Sequence, residues 1–129
     1  SLVQFKWSGF KPIDLADVSY WLSKANKLED ATADSIARQG KRIYLDFDDQ
    51  KLGKFIWGLA LANYPDNYFY DYFATHTLKE MNKMKLSVHG AEHLLEAFHH
   101  LERNDIYKKQ YLVNDIEAYL VKKSKIKHK

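Results

Sequence analysis

Apolar residues recur along this chain at helical spacing in six blocks separated by short polar stretches. The strongest block is 52–67, LGKFIWGLALANYPDN. On a helix, Leu52, Phe55, Ile56, Leu59 and Asn63 share one side, while Trp57 and Leu61 fall on the other beside Lys54. A helix apolar on two sides is either sandwiched between other elements or holds a partner. The pattern predicts a helix from Pro12 with one clean apolar face, Leu15, Val18, Leu22 and Ala25, and a second over 29–43 that is thin in apolar residues and packs through small ones. A fourth is predicted over 68–85, where Phe69, Phe73, Thr77 and Leu78 combine with Tyr68, Tyr72 and Met81, and Tyr70 is left exposed. The fifth spans 88–103 on Val88, Ala91, Leu94, Leu95, Phe98 and Leu101. The sixth runs over 106–123 on Tyr107, Tyr111, Leu112, Ile116, Tyr119 and Leu120. Start signals accompany most of them: Pro12 in a first turn, then Asp48 or Asp49, Asp66 or Asn67, Ser87, and Asn104 or Asp105 as caps.

The blocks repeat. Sliding the first helix by 37 residues lays Leu15, Val18 and Leu22 on Leu52, Phe55 and Leu59, and Ala25-Asn26 on Ala62-Asn63. Sliding the third by 39 lays Leu52, Phe55, Ile56 and Leu59 on Ala91, Leu94, Leu95 and Phe98, and Tyr68 and Tyr72 on Tyr107 and Tyr111. A period near 38 with two helices per unit is the signature of an α-solenoid. The expected fold is therefore all-α: an α-solenoid-like stack of three antiparallel helical hairpins in one domain, residues 1–121. An ordinary six-helix bundle is the alternative. Phe5, Trp7 and Phe10 mark residues 1–11 as an aromatic arm on a neighbouring surface.

Composition sharpens this in two ways. The chain has no Cys, so disulfides, thiolate metal sites and a Cys nucleophile are excluded, and no apolar run approaches the ~18 residues of a membrane span. The net charge of +3 is uneven: residues 122–129 hold five Lys and no acid, and the rest holds 15 Lys and Arg against 17 acids. The body thus lacks the basic face on which nucleic-acid affinity mostly rests. Residues 122–129 read as a basic, solvated tail, with contact to an acidic partner or a phosphate as the lesser reading. The chain opens on Ser1 rather than Met, which leaves room for a processed upstream segment.

The run Leu52-x-x-Phe55-Ile56-Trp57-Gly58-Leu59-Ala60, followed one hairpin later by Ala91-x-x-Leu94-Leu95-x-Ala97-Phe98, resembles organellar helical-repeat proteins. These are the octotricopeptide, heptatricopeptide and FAST-kinase-type repeats, architectural relatives of the pentatricopeptide repeats. The middle hairpin matches well, the third lacks the Trp, the first is degenerate, and coverage is roughly residues 13–121. The resemblance implies a mitochondrial matrix setting and either RNA binding or a place as a protein subunit of a large assembly. Organellar ribosomes and the F1 sector of euglenozoan ATP synthases are assemblies of that type.

If the hairpins stack, the first helices turn their outer faces the same way. The expected partner-binding columns are Asp17, Tyr20 and Lys24; then Lys54, Trp57 and Leu61; then His93, Glu96 and His100. An aromatic beside an aliphatic suits a protein hot spot, and an aromatic platform can also stack bases. In a third reading the N-terminal arm covers Trp57. His89, His93, Glu96 and His100 form one polar stripe, read as a solvated face rather than a metal site because no other helix closes the ligand shell. The run Ile43-Tyr44-Leu45-Asp46-Phe47-Asp48 resembles the hydrophobic strand and Asp-x-Asp of haloacid-dehalogenase phosphotransferases. The residues after it do not continue that motif, and it reads as a linker with capping acids. With no nucleophile elbow or Gly-rich phosphate loop, the sequence implies neither catalysis nor a cofactor.

Overall fold

A computed structural model describes residues 9–127, excepting the side chains of residues 126 and 127. Phe5 and Trp7 of the expected arm, and the reading in which that arm covers Trp57, lie outside the described residues. Six α-helices and no strand are present among them: α1 (Pro12–Lys24), α2 (Asp30–Arg42), α3 (Asp49–Leu61), α4 (Asn67–Asn82), α5 (Val88–Arg103) and α6 (Leu112–Lys127). A short 3-10 turn, Tyr44–Asp46, joins α2 to α3.

The starts follow from local chemistry. Asp48 accepts the Lys51 N–H, Asp66 the Phe69 N–H and Ser87 Oγ the Gly90 N–H, each satisfying an orphan first-turn donor. Four ends share one device. Asn26, Asn63, Met84 and Asp105 take positive φ, from 56° to 58°. The following N–H groups bond back across the turn, Lys27 to Leu22 O, Tyr64 to Leu59 O, Lys85 to Glu80 O and Ile106 to Leu101 O. This left-handed closure satisfies carbonyls the helix leaves unpaired.

Helix α3 packs against both α1 and α5, and α5 against α6. Phe55, fully buried, ties this layer to the other helices. Its ring stacks on Phe47 at 5.1 Å and meets Phe69 and Phe73 of α4 edge-on at 6.0 and 6.4 Å. Contact along the α1–α3 seam is backbone on backbone. A Cβ added at Gly58 would lie 2.7–2.9 Å from the main chain of Ser19 and Tyr20. The α3–α5 seam is as tight, a Cβ at Gly53 meeting His93 Cβ at 2.8 Å and the Gly90 carbonyl at 2.9 Å.

Several expectations are corrected by this packing. The buried face of α1 is Leu15, Ala16, Ser19 and Ser23, with Val18 and Leu22 half-buried and Ala25 exposed. Only small residues allow the α3 backbone so close, so the polar serines sit inside and Ser19 Oγ bonds back to Ala16 O. Asn63, expected on the core stripe of α3, is an exposed left-handed cap, because the helix stops at Leu61. On α4 the tyrosines are exchanged: Tyr70 is fully buried and Tyr68 is 86% exposed. The stripe that faces inward is Phe69, Tyr70, Phe73, Ala74, Thr77 and Met81, which keeps four of the expected residues, adds Tyr70 and Ala74, and leaves Tyr72 and Leu78 half-buried.

The sixth helix begins at Leu112 rather than Ile106. Asp105 closes α5 in the left-handed region instead of capping a new helix, and Tyr107 is buried in the connection with its hydroxyl donating to Asp71 of α4 at 2.8 Å. Tyr111 has φ 68° and is 67% exposed, so it is no counterpart of Tyr72. At the other end α6 continues through Lys127, which makes residues 122–127 of the basic run helical.

Candidate protein interface

Tyr20 and Trp57 hold matching places on α1 and α3, and the close seams bring their rings into one row with His93 of α5. Tyr20 and Trp57 have centroids 5.1 Å apart with planes tilted at 44°. Trp57 and His93 are also 5.1 Å apart, edge to face at 87°. Trp21 extends the row, edge-on to Tyr20 at 5.2 Å and 62% exposed. Such ring pairs are the geometries that the aromatic quadrupole favours.

Cations frame the row. Lys54 Nζ lies 2.6 Å from Asp17 Oδ1 and 5.1 Å from the Tyr20 ring centre, and Lys24 Nζ lies 5.5 Å from the same ring. Six of the nine expected interface residues, Asp17, Tyr20, Lys24, Lys54, Trp57 and His93, therefore form one connected group. Leu61 is half-buried at the end of α3, and Glu96 is exposed on α5. His100 is drawn off to the α3 cap, its Nε2 2.8 Å from Asn63 Oδ1.

A shallow hollow of about 290 Å3 beside the row is lined by Trp57, His89, Glu92, His93 and Glu96. Within it His93 Nδ1 is buried and has no hydrogen-bond partner among the described residues. Desolvation lowers the His93 pKa from its ordinary value, and nearby Glu96 opposes that shift. The ring is thus held neutral against Trp57. His89 and Glu92 stand only 3.7 Å apart, yet no group of three or more His, Asp or Glu among the described residues is arranged to hold a metal ion.

Trp21, His89 and Glu92 belong to this face and were not in the expected columns. Trp21 had a signal, since it adjoins Tyr20 and falls off the apolar stripe of α1. His89 and Glu92 enter because α5 begins beside the start of α3, where Ser87 N–H donates to Asp49 at 3.0 Å. Two larger hollows, about 550 and 460 Å3, lie away from the row on either side of the exposed Tyr68. The first is bordered by Asp71, Glu102 and Asp105, and the second by Lys41, Tyr72 and His76.

Among the described residues no helix is long and apolar enough to cross a membrane. Comparison with protein-family models, curated proteins and solved structures gives no match to this chain.

Proposed function

We propose that the chain is a non-catalytic helical-repeat scaffold, an accessory subunit docking into a larger mitochondrial assembly of proteins through the Tyr20–Trp57–His93 face. The observation that carries this reading is the continuity of the row: one ring from each of α1, α3 and α5, with Lys24, Lys54 and Asp17 at its margin. A half-buried aromatic surrounded by charged groups matches the make-up of protein hot spots. In this reading the hairpins α1–α2, α3–α4 and α5–α6 stack as an α-solenoid. The first offset supports that stack: Asp17 and Lys54, matched by the 37-residue slide, are bonded to each other, and Asn26 and Asn63, matched by the same slide, close their helices alike. An ATP synthase F1 sector and an organellar ribosome are assemblies of the expected kind.

Native co-purification with mass spectrometry tests the reading. Trp57→Ala and Leu61→Ala should each release the chain from its complex while circular dichroism stays unchanged; retention of the complex by both folded variants overturns the docking face. The second reading is an RNA-binding repeat module of an organellar gene-expression factor, favoured by the two ammonium groups over Tyr20. It requires affinity that falls steeply with salt, and no binding at low salt removes it.

A further inference from the structure

A separate corner of the molecule carries a dense positive charge that the ring row does not involve. The α5–α6 hairpin brings the end of α6 back to the turn before α5, and the Tyr119 hydroxyl donates to the Leu86 carbonyl to hold the two together. That contact sets the turn carrying Lys83 and Lys85 beside the stretch of α6 that leads on to Lys122, Lys123 and Lys125. All but Lys123 are exposed, and Lys123 lies over the Tyr119 ring at 6.0 Å. Among the described residues none of the five is in an ion pair. The acids facing Tyr119 are Glu80 and Asp49, and Asp49 already accepts the Ser87 N–H.

Local dipoles do not cancel this charge. The C-termini of α4 and α6 each present roughly half a negative charge, and the N-terminus of α5 roughly half a positive one. With Glu80 and Asp49 counted, about two to three positive charges remain at the corner. In contrast, Lys51, Lys54 and Lys109 elsewhere are paired with Asp48, Asp17 and Asp71.

We propose that this corner binds a carboxylate-rich segment of a partner protein. Side-chain chemistry selects that partner over other anions. The three arginines, Arg38, Arg42 and Arg103, are on α2 and at the far end of α5, so the corner lacks the planar forks that read phosphate bidentately. Its one aromatic among the described residues, Tyr119, is 6% exposed and covered by Lys123, and so offers no platform for a base. Among the described residues the exposed apolar side chain nearby is Val121, on the opposite side of α6 from Tyr119, and a single valine does not anchor a helix in a bilayer. Compact ammonium groups on a fixed helix end and turn complement an extended run of Asp and Glu, whose carboxylates need no planar donor.

Fluorescence anisotropy on the full chain, with a labelled Glu- and Asp-rich peptide at low salt, tests the assignment. Lys83→Glu with Lys85→Glu, and separately Lys122→Glu with Lys125→Glu, should each weaken peptide binding by at least about tenfold. Lys27→Glu with Lys108→Glu changes the net charge equally at exposed sites elsewhere and should change it far less. The corresponding Lys→Gln pairs, checked by circular dichroism, give the same ranking if a charge reversal fails to fold. The proposal is overturned if the peptide does not bind, or if the control pair weakens it as much. It is equally overturned if a uridine oligonucleotide of equal charge or phosphatidylserine vesicles bind as tightly as the peptide.

Discussion

Lys54 of α3 makes two contacts with α1 at once, an ion pair with Asp17 at 2.6 Å and a position 5.1 Å above the Tyr20 ring. Both partners of the ion pair remain partly exposed, so screening keeps its share small, at most about 1 kcal/mol. The ring contact adds about 0.5–1 kcal/mol. Lys54→Ala should therefore cost about 1–2 kcal/mol in urea denaturation, and Asp17→Ala less, because it leaves the ring contact in place. Equal costs for the two would mean that the Tyr20 contact contributes nothing.

Gly58→Ala tests the backbone seam. Alanine favours a helix over glycine by about 1 kcal/mol, so on propensity alone the variant gains stability. The new Cβ would stand 2.7 Å from the Ser19 carbonyl carbon and 2.8 Å from the Tyr20 nitrogen, both main-chain atoms that cannot rotate away. Overpacking of this kind costs about 1–3 kcal/mol. A net loss is expected, read as a lower denaturation midpoint; a gain would show that α1 and α3 are further apart.

Tyr70→Phe makes the opposite prediction. The Tyr70 ring is fully buried against Tyr64, Phe69 and Tyr107, yet its hydroxyl has no hydrogen-bond partner among the described residues. Burial pushes its pKa well above the ordinary phenol value. An unpaired buried hydroxyl costs about 1–3 kcal/mol, so the phenylalanine variant should equal or exceed the parent in stability. A loss of more than about 1 kcal/mol would mean that the hydroxyl is satisfied.

His93 supplies a pH dependence. Desolvation depresses its pKa in the folded chain below the ordinary imidazole value of 6.5, so the unfolded chain binds the proton more readily. The stability it contributes is present in full above pH 6.5 and is lost as pH falls through the lower, folded value. NMR titration should place the His93 midpoint below the ordinary imidazole value, with the Trp57 indole signal moving at the same midpoint. His93→Gln should flatten the fall in stability on that side of neutrality.

Helix order, most boundaries and the capping residues Asp48, Asp66 and Ser87 were readable because each rests on chemistry within one turn. The ring row was readable in part: Tyr20 and Trp57 share one position in successive units, while His93, which the repeat sets against Lys54, reaches Trp57 across the close α3–α5 seam. What the sequence concealed depends on surfaces that meet only in three dimensions. Ser19 and Ser23 are inside because Gly58 lets a backbone approach, which no pattern within α1 announces. Tyr107 resembles a helix residue in spacing, but its bond to Asp71 holds residues 106–111 in an irregular connection. Tyr68 and Tyr70 are chemically alike, and their opposite exposures are decided by where Tyr64 and Tyr107 stand.

The central place of α3 has a consequence for recognition. Edge helices can fray with one neighbour lost, whereas α3 has α1 and α5 on its sides and Phe55 anchored among α4 rings, so its amides should exchange last. Trp57 is borne by that element and wedged between Tyr20 and His93. Its rotamer is therefore fixed before any partner arrives. A surface already ordered surrenders little conformational freedom on association, so more of the contact energy at Trp57 is retained as affinity.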